Sequence, residues 1–152
     1  MYTFSCEFCS GSFNDVTGSG GDAHSVIVTT RPDLTTTNYR TWFYFSVTGG
    51  STGQNLKMRV ENMNNQGKLF KHDFRPVVRS HPSQPQWERL PVSVQHELYD
   101  PEQKLFAITF SHRFATDSET VYFAFTFPYS FSDILLRTNE LQVCAGTSTP
   151  KT

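Results

Sequence analysis

The chain has 152 residues, a formal net charge of -1, 14% aromatic residues and only 18% charged ones. A length of this order holds one core, the aromatic mass excludes a disordered chain, and the near-neutral charge excludes bulk capture of nucleic acid, which needs several phosphates neutralised at once. No run reaches the roughly eighteen apolar residues of a membrane span, and the first residues lack the basic-then-apolar layout of a signal peptide, so a soluble intracellular domain with no membrane partner is expected.

In chain order, "YTFSCEF" makes an opening apolar turn, and "SGSFNDVTGSGGDAHS" has no period and reads as loop, so residues 1–24 are an N-terminal segment and flexible loop. Cys6, Cys9 and Cys144 cannot all pair, which fits a reducing compartment. "CEFC" has the spacing of two metal ligands but lacks a second pair, and two half-buried thiols near a chain end is the preferred reading.

Val26 to Thr30 is a β-branched strand stopped by "RPD", because Pro32 has no amide hydrogen to give. "TWFYFSVT" places Phe43, Phe45 and Val47 on one face and Trp42, Tyr44 and Ser46 on the other. "GGSTG", Gly49 to Gly53, reads as a hairpin-type connection, and "LKMRVEN" returns with Leu56, Met58 and Val60 alternating against Lys57, Arg59 and Glu61. Residues 62–91 carry prolines at 76, 82, 85 and 91 and predict short edge strands at "RPVVRS" and "QWERL". "VSVQHELY" alternates again, and "DPEQ" is a turn.

Two longer strands follow. "KLFAITFSHRF" puts Phe106, Ile108, Phe110, His112 and Phe114 on one side, and "ETVYFAFTF" does the same with Val121, Phe123, Phe125 and Phe127. After Phe127 the spacing turns helical, with Ile134, Leu135, Thr138 and Leu141 as the inward set and Ser130 or Ser132 as cap. The expectation is an all-β antiparallel β-sandwich over residues 25–141 with a short C-terminal helix, followed by a tail at 142–152.

Catalytic machinery is hard to find. None of the five histidines has a glutamate three places on, and no Gly-x4-Gly-Lys-Ser/Thr phosphate loop is present. His112 lies on the apolar phase of its strand and reads as a structural histidine. Trp42 and Trp87 read as core, with sugar-stacking platforms as the alternative. Residues 57–89 hold seven of the thirteen basic residues against three acidic ones, a local net charge of +4. A solvated sheet face explains this, and a strip for an acidic ligand, formed by Lys57, Arg59, Arg75, Arg79 and Arg89, is the functional alternative.

"RPDLTTTNYRTWFYFSVTGG", "VENMNNQGKLFKHDFRPVVRS", "QWERL" and above all "TVYFAFTFPYSFSDILL" resemble successive landmarks of the N-terminal domain of the cytosolic carboxypeptidases, from about residue 10 to residue 141. These are zinc enzymes that trim glutamates from tubulin and other proteins, and "TWFYFSVTGG" with "NMNNQGKLF" is most similar to the branch that removes the branch-point glutamate. The resemblance implies an antiparallel sandwich placed directly before a catalytic domain in cis, with Phe127, Pro128, Tyr129, Ser130, Phe131, Ser132 and Asp133 at the junction. It implies that zinc and the catalytic residues belong to that following domain, with no cofactor and no catalytic residue in this chain, and that glutamylated tubulin or other acidic tails are partners of the parent. A cytoplasmic, cytoskeleton-associated location is implied too. Asp73-Phe74 departs from the Gly-Met usual before the Pro-x-x-x-Ser element, so no role of that turn carries over. On this reading the rings of Trp42, Tyr44, Tyr129 and Phe131 exceed what a lone sandwich needs, and a docked catalytic domain covers them. A stand-alone module for acidic tails or glycans is the alternative.

Overall fold

The computed structural model describes residues 1–18 and 24–146. Among the described residues ten strands and two helices follow one another as β1 (Thr3–Ser5), β2 (Asp15–Gly18), β3 (Ser25–Thr29), β4 (Tyr44–Thr48), β5 (Asn55–Asn64), α1 (Gly67–Lys71), β6 (Val77–His81), β7 (Gln84–Arg89), β8 (Gln95–Asp100), β9 (Leu105–Arg113), β10 (Thr120–Ala124) and α2 (Phe131–Gly146). They form two five-stranded sheets, the first in the order β1-β4-β10-β6-β7 and the second in the order β2-β3-β5-β9-β8. This is the all-β sandwich that the alternation in the sequence predicts.

Three features differ from the sequence reading. The opening segment is not all loop: β1 pairs with β4 and β2 with β3, each antiparallel. Strands of three and four residues are too short to show a period of two. The second difference is that Gly49 to Gly53 does not close a hairpin, because β4 lies in the first sheet and β5 in the second. The chain leaves β3, crosses to the first sheet as β4 and crosses back as β5, so β5 arrives parallel to β3, with Val26 opposite Met58 and Val28 opposite Val60. Gly49 (φ +85) has a left-handed backbone there, and a Cβ on Gly50 would stand 2.4 Å from the buried ring of Phe114, which is why the crossing is built on glycine.

Between the sheets lies the main core. Phe43, Phe45, Val47 and Phe123 come from the first sheet and its approach, and Leu56, Met58, Val60, Phe106, Ile108 and Phe110 from the second. Phe45 meets Phe123 at 5.7 Å and Phe110 meets Phe123 at 5.5 Å between ring centroids. Burying each such ring contributes roughly 1.5–3 kcal/mol, so the aromatic composition is spent mainly here.

At one end of this core sits a buried carboxylate. Glu119 is 2% exposed; it accepts hydrogen bonds from the Ser83 hydroxyl and, at 2.8 Å, from the Ala115 amide. His112 Nε2 lies 3.9 Å away, and this nitrogen is buried with no hydrogen-bond partner. Burial pushes the Glu119 carboxyl up, but the Ser83 and Ala115 hydrogen bonds and nearby His112 outweigh it and hold it below the ordinary value. Burial lowers the pKa of His112, with Glu119 opposing. The histidine is structural, as its place on the apolar phase implies.

The third difference concerns α2. Its expected inward set is uncovered: Ile134, Leu135 and Leu141 are all exposed. The two sheets already bury their inner faces against each other before the helix begins. Residues 142–146, expected as the start of the 142–152 tail, continue α2 to Gly146; the rest of the tail and the side chain of Cys144 lie outside the described residues. Among the described residues no helix is long and apolar enough to cross a membrane.

Candidate functional site

The outer face of the first sheet is not a wet face. On it Tyr44, Val77 and Ala124 form a second buried cluster, against which Phe8, Trp42, Trp87 and Tyr122 pack. Alternation along β4 explains the arrangement: Phe45 and Val47 enter the main core, so Tyr44 and Ser46 point to the other side. Tyr44, expected as a surplus outward ring, is only 6% exposed, because the chain after β1 folds back and sets Phe8 against it at 4.6 Å between centroids. Trp87 stands 5.6 Å from Tyr44 on the other flank. Trp42 is half-buried and donates its indole N–H to the Ser10 carbonyl at 2.9 Å.

Beside this cluster the chain leaves β10 and the character of the surface changes. Phe127, Tyr129 and Phe131 are 49%, 65% and 66% exposed, and Ile134, Leu135 and Leu136 continue the apolar surface into α2. The turn itself is firmly built. Ser130 caps α2, taking the Asp133 amide at 3.2 Å, while the Asp133 carboxylate accepts the Ser130 amide at 2.7 Å and its hydroxyl at 2.6 Å. That reciprocal pair is a capping box with aspartate at its third position, and the Ser130 hydrogen bonds hold the Asp133 carboxyl below its usual value. Cys9 lies at the same helix start, 3.9 Å from the Ser132 hydroxyl, and the Ser132 amide lowers its thiol pKa.

A groove of about 520 Å3 runs between the cluster and the turn, walled by Phe8, Trp87, Tyr122, Tyr129 and Asp133, with Arg79 inside it. The guanidinium of Arg79 lies between two rings, 4.8 Å from the centroid of Trp87 and 4.7 Å from that of Tyr122. It donates to the Tyr44 hydroxyl at 3.4 Å, and its Nε is buried without a partner. Arg89, opposite Val77 on β7, covers Phe74 and Phe127 at 4.7 and 5.0 Å and donates to the Arg75 carbonyl at 2.6 Å. Arg75 donates to the Leu90 carbonyl at 3.1 Å and pairs with Asp73 at 2.9 Å.

The basic residues are therefore not one strip. Arg75, Arg79 and Arg89 gather around the aromatic turn, whereas Lys57 and Arg59 alternate with the core residues Leu56, Met58 and Val60 and lie on the outer face of the second sheet. Arg59 is also occupied, paired with Glu61 and Glu97 and set over Tyr99 at 5.5 Å. The turn Phe127 to Asp133 and three of the five arginine and lysine candidates thus share one surface.

Gly49 to Gly53 has the Gly-x-Ser-x-Gly spacing of a nucleophile elbow, but it joins two strands, where the elbow requires a strand followed by a helix. Its neighbours are taken up structurally: the Ser51 amide donates to Gln54 at 2.9 Å, and Asp117 accepts the Thr52 amide and hydroxyl. Among the described residues no group of three or more His, Cys, Asp or Glu side chains could hold a metal ion, Cys6 and Cys9 included, so the residues present do not fit a zinc centre.

These features define an all-β sandwich domain with an uncovered apolar edge. The chain belongs to the cytosolic carboxypeptidase N-terminal domain family, whose model matches residues 4–126. It is 42% identical over 111 residues to cytosolic carboxypeptidase-like protein 5 of Rattus norvegicus, covering 70% of this chain and 13% of the rat protein. With the human protein of the same name the identity is 40% over 119 residues, 75% of this chain and 13% of that one. The fold matches a metallo-carboxypeptidase from Burkholderia cenocepacia with a TM-score of 0.62 at 19% identity, over 93% of this chain and 33% of that one. The chain thus spans about an eighth of the length of the curated relatives it matches.

Proposed function

We propose that this chain is the non-catalytic accessory domain of a cytoplasmic zinc metallocarboxypeptidase that removes glutamates from tubulin and other acidic protein tails, and that it docks on the catalytic domain through Phe127 to Asp133 and the first turns of α2. The observation that carries the docking is the run of uncovered rings and aliphatic side chains from Phe127 to Leu136, held in place by a capping box. A rigid turn presenting contiguous apolar surface is what an interface with another domain offers. The deglutamylating activity rests on the family membership, and its catalytic residues and zinc belong to the partner domain.

The magnitude can be worked from the two most exposed rings. Phe and Tyr carry about 150–250 Å2 each, so with about two-thirds uncovered the pair offers roughly 250 Å2, up to ~6 kcal/mol at ~25 cal/mol/Å2. Ordering costs at an interface leave about 2–4 kcal/mol. The test is a chimera in which this chain replaces the matching segment of the rat protein, assayed for glutamate release from a glutamylated peptide and for thermal unfolding. The chimera should be active, and Tyr129→Ala with Phe131→Ala should lower its melting temperature while leaving the isolated 152 residues within ~0.5 kcal/mol of wild type. Equal melting temperatures for the wild-type and doubly substituted chimeras would remove the docking assignment, and glutamate release by the isolated chain would remove the accessory role.

A further inference from the structure

Arg79 is inadequately partnered for a half-buried cation. A guanidinium has five N–H donors in a rigid fork, and here one is engaged, by a long bond to the Tyr44 hydroxyl, while Nε is buried without an acceptor. Among the described residues no carboxylate lies within ion-pair distance of it, in contrast to Arg59 and Arg75. The acid on the same groove wall, Asp133, feels the Arg79 charge, but its carboxylate accepts from the Ser130 amide and hydroxyl and does not reach the guanidinium. Trp87 and Tyr122 lie within cation–π distance of the guanidinium, which compensates part of its lost hydration and leaves its terminal Nη donors for an incoming group. An edge of paired N–H groups framed by aromatic rings recognises a carboxylate in a bidentate manner.

We propose that Arg79 receives a single Asp or Glu side chain of the docked catalytic domain, forming the charged centre of the interface whose apolar part is the turn at Phe127 to Asp133. This rests on the docking reading given above. The occupant follows from position: Tyr129, Ser130 and Asp133 wall the groove, so whatever covers the turn also covers Arg79. A poly-acidic substrate tail fits less well, because Lys57 and Arg59 lie on the other sheet and the neighbouring Arg75 is already paired with Asp73.

The experiment compares hydrogen exchange of residues 127–136 in the isolated chain and in the chimera with the rat protein. In the chimera these amides should be protected, and Arg79→Gln should raise their exchange at least tenfold; Arg79→Lys, which keeps the charge without the fork, should give an intermediate rise. Protection that is unchanged in both Arg79 variants overturns the carboxylate contact and leaves docking intact. No protection in the chimera removes docking and this inference together. A measurement on the wild-type chain needs no variant: titration with sodium acetate should move the Arg79 Nε–H resonance before those of Arg75 and Arg89, and equal movement of all three counts against a dedicated site. If a hexaglutamate peptide binds the isolated chain through Arg79 while exchange in the chimera is indifferent to the substitution, the occupant is an acidic tail and the assignment to the catalytic domain is wrong.

Discussion

Glu119 offers a strict check on the energetics of the fold, because a carboxylate 2% exposed survives only if its surroundings repay its lost hydration. Glu119→Ala removes two charge-assisted hydrogen bonds, from Ser83 and Ala115, each worth about 1.5–3 kcal/mol. It also leaves the Ala115 amide without its acceptor, so a loss of about 3–5 kcal/mol is expected, a large fraction of the roughly 5–15 kcal/mol that holds a domain together. Glu119→Gln should cost less, about 1–2 kcal/mol, since its carbonyl can still accept from Ala115 and the Ser83 hydroxyl can rotate to accept from the amide. The pH dependence has a definite sign. His112 has a lowered folded pKa, so its contribution is complete above about pH 6.5, the ordinary imidazole value, and falls as acid protonates the unfolded chain first. Glu119 is also lowered, so its contribution is present above the ordinary carboxylate range and is lost as pH falls through its folded pKa. Urea unfolding followed by tryptophan fluorescence from pH 8 to pH 4 should therefore show stability level down to about pH 6.5 and decreasing with acid below it, and the difference between wild type and Glu119→Gln should begin to shrink at the acid end. A wild-type stability that rises between pH 6.5 and 5, or a Glu119→Ala variant within ~0.5 kcal/mol of wild type at pH 7, would refute this account.

Two further substitutions probe other levels of the structure. Phe123→Ala deletes a fully buried ring in contact with Phe45, Phe110 and His112 and should cost about 3–5 kcal/mol in urea unfolding, with an unchanged m-value. Ser130→Ala removes the cap of a helix whose side chains are largely exposed, so the first turn of α2 should lose about 1 kcal/mol, read as faster exchange at residues 132–135 with the amides of β4 and β10 unaffected.

Alternation made the strand faces legible: Phe43, Phe45 and Val47 point inward as expected, and so do Leu56, Met58 and Val60. Which sheet each strand joins was not, because glycine-rich turn chemistry at residues 49–53 serves a hairpin and a sheet-to-sheet crossing equally well. The fate of Tyr44 was hidden for a related reason. Its cover, Phe8, comes from 36 positions earlier, and a pattern read along one strand carries no information about a segment folding back over it. The basic candidates divided between two faces because closeness in sequence between Arg59 and Arg75 says nothing about distance once β5 and β6 belong to different sheets. By contrast, the exposed turn at Phe127 to Asp133 was visible as a run of rings at the point where a period of two gave way to a helical one.

The pairing of β4 with β10 sets Phe45 opposite Phe123 and Val47 opposite Val121, joining two inner strands of a sheet that lie about half of the chain apart. Contacts of such sequence separation form late and slowly. While the polypeptide is emerging from the ribosome, Phe4 and Phe13 can already meet Phe45, but the cover that Phe123 gives it is still to be synthesised. This domain should accordingly depend on chaperones in the cell more than its modest size suggests, and slowed translation between residues 48 and 120 should reduce its soluble yield.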